Sequence, residues 1–252
     1  MRAPLRWNMR QQAFERAEIM TIIAANLQAV HERIRHAASA ANRAPDSVQL
    51  LAVSKTFGHA EVAAAWAAGQ RAFGENFVQE ALDKIAATRS LPIEWHFIGP
   101  VQSNKTRPIA EYFAWVHSIE REKIARRLND ARPPELPPLN VLIQVNVSGE
   151  ASKSGVTPGE EQALAAVIRT LPRLRLRGLM AIPEPTPDTV LQRQRFALLR
   201  KLQMQLQADD AGVDTLSMGM SDDLEAAVAE GATMVRIGTA IFGSRKTAKS
   251  AL

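Results

Sequence analysis

Cysteine is absent from the 252 residues, which excludes disulfides, thiolate nucleophiles and cysteine-held metals. No apolar run approaches the roughly 18–20 residues that a bilayer span requires, because charge or proline breaks every long stretch. Tyrosine occurs once, at Tyr112. No grouping of His, Asp and Glu has metal-ligand spacing. The first 19 residues have neither the apolar segment nor the small-residue cleavage site of a secretory signal. These absences lead us to expect a cytoplasmic protein with no metal and no membrane contact.

A basic excess is present, and its position decides what it means. The formal charge is +5. Residues 1–19 carry Arg2, Arg6, Arg10 and Arg16 against Glu15 and Glu18, and residues 245–252 add Arg245, Lys246 and Lys249, so the ends account for +2 and +3. The body between them is balanced and shows no basic stripe interleaved with aromatics, so nucleic acid is not expected as a partner. Residues 1–19 read as an extension ahead of the folded body, either disordered or an artefact of start-site assignment. Residues 245–252 read as a basic tail, leaving 20–244 as one domain.

Within that body, short apolar runs alternate with helical patterns, the rhythm of a parallel sheet. An N-terminal helix is expected over about Met20 to Asn42. Strands are expected at Gln49–Ser54, Arg71–Gly74, Ile93–Ile98, Trp115–Ser118, Asn140–Asn146, Arg175–Met180, Thr215–Ser217 and Thr233–Ile237. Eight such units match a single (β/α)8 barrel of the TIM type. A doubly wound open sheet would ordinarily bring a glycine-rich turn after its first strand. Here that turn reads Ser54-Lys55-Thr56-Phe57-Gly58-His59.

Barrel chemistry belongs at the C-terminal ends of the strands, where side chains leave the packed interior. Lys55 follows the apolar run from Val48 to Val53, a place where partial desolvation favours the neutral, nucleophilic amine. A lysine extending to solvent would look the same in sequence. The last two units add turns at Met218-Gly219-Met220-Ser221-Asp222-Asp223 and at Arg236-Ile237-Gly238-Thr239. Barrels often hold phosphate between these loops, and the glycines, hydroxyls and helix starts suit an anion. Ordinary turn glycines with a serine cap would also fit. Lysine and turns together propose a ligand with an aldehyde at one end and a phosphate at the other. His96, near the end of the third strand, is either a base or a structural donor. Trp66, Trp95 and Trp115 read as packing residues. Asp83 with Lys84, and the cluster from Arg121 to Arg127, read as solvated helix faces.

The residues Ala52-Val53-Ser54-Lys55-Thr56, Phe73-Gly74-Glu75-Asn76, Trp95-His96-Phe97-Ile98-Gly99-Pro100, Gln102-Ser103-Asn104-Lys105, Ser152-Lys153-Ser154-Gly155 and Arg177-Gly178-Leu179-Met180, with the two turns above, resemble in order the YggS/PROSC family of pyridoxal phosphate (PLP) homeostasis proteins. The resemblance runs from about Met20 to Gly243. It implies a type III PLP fold, like the N-terminal barrel of alanine racemase. It also implies PLP held as a Schiff base on Lys55, with Ser221, Gly238 and Thr239 on the phosphate, Arg236 at the pyridine nitrogen and Asn76 and Met220 lining the pocket. Lys153, in a loop beyond the fifth strand, is a candidate second PLP lysine.

Two functions remain open on this resemblance: a carrier or buffer of PLP that serves apo-enzymes, and an amino-acid racemase. An arginine beside the pyridine nitrogen disfavours its protonation and makes the ring a poor electron sink. The racemases that this barrel resembles take a second base from a tyrosine and close the site with a β domain. Tyr112 is expected outside the barrel mouth, and the short stretch after Gly243 is not expected to hold such a domain. A monomeric, non-catalytic PLP protein is therefore the expectation.

Overall fold

The computed structural model describes residues 4–150 and 153–244, with side chains from Glu18 onward. Eight strands form a closed parallel barrel in sequence order: β1 (Gln49–Val53), β2 (Ala72–Glu75), β3 (Glu94–Phe97), β4 (Trp115–Ile119), β5 (Leu139–Gln144), β6 (Leu174–Met180), β7 (Thr215–Ser217) and β8 (Met234–Ile237). Closure comes from β1 pairing with β8, with Leu51 opposite Arg236. Every strand lies within two residues of its sequence-based expectation. The surrounding helices are α1 (Pro4–Ala40), α2 (His59–Ala67), α3 (Val78–Ala87), α4 (Thr106–Tyr112), α5 (Glu122–Ala131), α6 (Glu161–Arg169), α7 (Thr189–Asp209), α8 (Leu224–Ala229) and α9 (Thr239–Phe242).

Alternation along each strand sorts side chains into two layers. Leu50, Ala52, Phe73, Phe97, Val116, Val141, Leu179, Leu216 and Val235 belong to the large core between strands and helices. Their neighbours point into the barrel. There, Leu51, Val53, Ala72, Ile98 and Met234 form one small apolar cluster, and Trp115, Leu142 and Met180 form another.

Helix α1 begins at Pro4 rather than near Met20, so residues 4–19, expected as a separate extension, continue the helix backbone. The reason is local. No glycine or proline interrupts residues 5–40, and proline is tolerated in a first helical turn, where its missing N–H has no role. Ile23, Leu27, Val30, Ile34 and Ala37 recur at helical spacing and are buried. They lay α1 against α2, α8 and α9. Arg33 grips Glu225 with Nε at 2.6 Å and Nη2 at 2.7 Å, and the Asn26 amide donates to the Ile241 carbonyl at 2.9 Å. The helix thus braces the side of the barrel that carries β8 and its turn. The basic tail expected over 245–252 lies outside the described residues.

Candidate functional site

At the C-terminal end of the strands, a cavity of about 540 Å³ is lined by Lys55, Asn76, Met220, Ser221, Arg236, Gly238 and Thr239. All seven residues singled out from the sequence meet there, Arg236 from strand β8 itself and the others from the turns after β1, β2, β7 and β8. Val53, Ile98, Ile182, Asp222 and Ala240 complete the wall. Lys153 is not among them. It borders a separate cleft with Glu120, Arg121 and Glu160.

The turn carrying Lys55 is held from both sides. Lys84 of α3 donates to the Ser54 carbonyl at 2.7 Å and to Oε1 of both Glu75 and Glu80 at 2.6 Å. The Ser54 hydroxyl donates to Glu75 at 2.6 Å, and Glu80 accepts from the Thr56 backbone N–H at 2.5 Å. Thr56 has a φ of +70°, a left-handed conformation that is uncommon for a residue with a β-branched side chain. The Glu80 contact anchors it. Glu75 is fully buried; burial pushes its carboxyl up, while Lys84 and Ser54 pull it back. Lys84 is therefore not on a solvated helix face, as its sequence context suggested. It is buried because it shares the inward face of α3 with Ala81, three residues earlier.

On the opposite wall, Gly219 has a φ of +93°, and a side chain there would meet the Ala227 Cβ at 2.6 Å. Only glycine fits that turn. A Cβ on Gly238 would lie 3.0 Å from the Val53 carbonyl, so glycine lets the β8 turn pack closely on the end of β1. Thr239 and Ala240 open α9, and the first-turn N–H groups of a helix have no intrahelical acceptor. Asp223 accepts from the Met220 N–H at 2.6 Å and fixes the β7 turn.

Arg236 rises from inside the barrel to the cavity. Its Nη1 donates to the Ser217 carbonyl at 2.6 Å and hydroxyl at 2.8 Å, and Nη2 donates to the Ala181 carbonyl at 2.8 Å. Burial pulls the guanidinium down to about 10, against the opposing pull of Asp223. It remains a cation at neutral pH. His96 is fully buried below the cavity; it bonds to His117 and Glu94 and stacks on Trp115 with centroids 5.4 Å apart. His96 is not among the residues that line the cavity.

The donor set fits a ligand with an aldehyde and a phosphate. One lysine amine stands across the cavity from two turns rich in N–H and hydroxyl groups. Asn76 lines the cavity, with its Oδ1 buried and without a hydrogen-bond partner in the protein. Among the described residues, no cluster of His, Asp or Glu could hold a metal, and no helix is long and apolar enough to cross a membrane.

Residues 25–246 match the family described as alanine racemase, N-terminal domain. The pyridoxal phosphate homeostasis protein of Pseudomonas aeruginosa is 63% identical over 226 residues, covering 90% of this chain and 97% of that protein. The chain belongs to the pyridoxal phosphate homeostasis protein family. The family's Escherichia coli K12 member is 55% identical over 236 residues, covering 91% of this chain and all of that protein. The solved structure of PipY from Synechococcus elongatus, with PLP bound, superposes with a TM-score of 0.77 at 36% identity, covering 88% of this chain and all of PipY.

Proposed function

We propose that this chain binds pyridoxal 5'-phosphate in the cavity at the barrel mouth, holds it on Lys55 and serves intracellular PLP homeostasis as a carrier or buffer. The observation that carries this reading is the meeting of the Lys55 amine with the β7 and β8 turns around one cavity. When bound, pyridoxal phosphate would supply a reactive aldehyde, and Lys55 would be the residue that holds it through its amine. Ser221, Gly238 and Thr239 hold the phosphate through backbone N–H groups and hydroxyls. Asn76 and Met220 would line the pocket around the ligand, and Arg236 would partner the ring nitrogen. The barrel, residues 20–244, is the binding unit.

A carrier is favoured over a racemase on the position of Tyr112, the single tyrosine. It ends α4 immediately before β4 and is 52% exposed, which puts it at the barrel face opposite the cavity. It cannot serve as a second base there. Arg236 also disfavours a protonated ring nitrogen and so weakens any carbanion chemistry. On this reading the chain acts in the cytoplasm as a monomer, delivering PLP to apo-enzymes, with nucleic acid and membranes playing no part.

Borohydride reduction of the PLP-loaded protein tests the assignment, because it fixes a Schiff base irreversibly. Mass spectrometry is expected to find the adduct on the Lys55 peptide, and Lys55→Ala is expected to abolish it without loss of fold. An adduct confined to other lysines overturns the reading.

A further inference from the structure

A barrel interior is ordinarily filled by branched apolar side chains. In this one a line of polar groups separates the two small apolar clusters. Glu94 lies at the start of β3, on the face opposite the cavity, with its side chain 44% exposed. His96 Nε2 meets Glu94 Oε1 at 2.9 Å, His96 Nδ1 meets His117 Nε2 at 2.9 Å, and His117 Nδ1 meets the Ser217 hydroxyl at 3.0 Å. Ser217 accepts from Arg236 at 2.8 Å. His96, His117 and Ser217 are fully buried. Together these contacts join one end of the barrel to the other.

With both rings neutral, the Glu94 end fixes the direction of every bond up to Ser217. A guanidinium only donates and a carboxylate only accepts. Arg236 gives a hydrogen to the Ser217 oxygen, which keeps a second lone pair, so the direction of the Ser217–His117 bond is decided from the carboxylate end: with neutral rings Ser217 donates to His117 Nδ1. His117 must carry its proton on Nε2 to reach His96 Nδ1, and His96 must carry its proton on Nε2 to reach Glu94. The opposite polarity would set a bare imidazole lone pair against the carboxylate. In this direction each group is satisfied, both rings are neutral, and each bond polarises the next. Burial supports their neutrality, since it holds both imidazoles below their ordinary value.

We propose that Glu94, His96, His117, Ser217 and Arg236 form a directional relay through which the charge on Glu94, at the far face, sets the placement and field of Arg236 at the cavity. His117 is a positioning residue: it touches no ligand and acts through Ser217. The relay's effect on a bound cofactor rests on the PLP reading above, but its existence does not.

Long-range proton–nitrogen spectra of protein labelled with 15N-histidine, recorded without cofactor at neutral pH, report each ring's tautomer. Only five histidines need assignment. Both His96 and His117 are expected as neutral Nε2–H rings; an Nδ1–H ring or an imidazolium at either overturns the relay. Ser217→Ala is expected to shift His117 Nδ1 and also His96, which Ser217 does not touch. Glu94→Gln, made at the exposed end, is expected to shift His117 from the other side. Shifts confined to the nearest ring in both variants overturn the coupling. In loaded protein, Glu94→Gln is expected to move the cofactor's visible absorption while borohydride still fixes it on Lys55; an unmoved spectrum with full fixation also counts against the relay. Failure of fixation in the unsubstituted protein instead overturns the PLP reading and leaves the histidine spectra to decide the relay.

Discussion

The eight strands present two unlike faces. Outward, Phe73, Phe97, Val116, Val141, Leu179, Leu216 and Val235 join a continuous apolar core against the helices. Inward, two small apolar clusters flank the polar line from Glu94 to Arg236. The outer face does what most cores do, removing apolar area from water at about 25 cal/mol per Å². The inner face gives up some of that gain to hold a cation beneath a cavity. In this fold, stability comes mainly from the outer layer, while the inner layer and the clamp behind Lys55 set the site's geometry and charge.

The largest expected effects separate those roles. Phe73→Ala, in the outer layer, should cost about 3–5 kcal/mol, the usual cost of emptying a large buried aromatic site. PLP should still attach to Lys55 wherever the variant is folded. Lys84→Met should cost a similar amount, about 3–5 kcal/mol, because it leaves Glu75 buried without its cation. It should also release Ser54 and Thr56 and slow attachment at Lys55. Denaturant unfolding gives the stabilities, and borohydride trapping against time gives the attachment rates. Normal attachment in folded Lys84→Met would show that the clamp stabilises the barrel without positioning the lysine.

This division explains what could be read from the sequence. The strands were legible because apolar runs bounded by turns mark them. Lys55 and the turns that carry Ser221, Gly238 and Thr239 were legible because they sit at strand ends, where polar groups follow apolar runs; Asn76, Met220 and the place of Arg236 came from the family resemblance. Lys84 was not legible. With Glu80 four residues before it and Asp83 beside it, it has the look of a solvated helix face. The missed signal was Glu75, a carboxylate inside an apolar strand, which demands a buried partner. The relay was hidden for another reason. Alternation puts Trp115 and His117 on one face of β4, but Ser217 is 100 residues from His117, and only barrel closure brings them together. The start of α1 at Pro4 was missed because the expectation followed the apolar stripe, whereas the helix runs back as far as nothing interrupts it.

A smaller effect reaches the inner face through pH. In the unfolded chain, each imidazole takes up a proton around its ordinary value of 6.5; in the fold, burial holds His96 and His117 below it. The stability they contribute is therefore full above that value and is lost as the pH falls towards the depressed folded values. Each ring contributes a slope of at most about 1.4 kcal/mol per pH unit in that window. His117→Gln removes one titrating ring, so its unfolding free energy should fall less steeply below pH 6.5, by up to about that amount per unit. Denaturant midpoints measured at several pH values check this. Equal slopes in both proteins would mean that His117 takes up its proton inside the fold.

The smallest expected effect concerns the two lysines on the cavity side of the barrel. Lys55 lines the cavity and Lys153 borders a separate cleft beyond β5 with Glu120, Arg121 and Glu160. That cleft offers an amine, but it lacks the pair of glycine turns that give the Lys55 cavity its phosphate-binding character. The Lys153 backbone is tied locally, its N–H donating to the Glu150 carbonyl at 3.0 Å and its carbonyl accepting from Asn146 at 3.3 Å. Lys153→Ala should therefore leave fold stability and the extent of borohydride labelling at Lys55 unchanged. Any role for the second lysine must then appear in transfer. Loaded protein mixed with an apo-enzyme, followed by recovery of that enzyme's activity, should show slower delivery from Lys153→Ala if the cleft receives PLP on its way out. Equal delivery rates would assign the whole of PLP handling to the cavity at Lys55 and reduce Lys153 to a solvated loop residue.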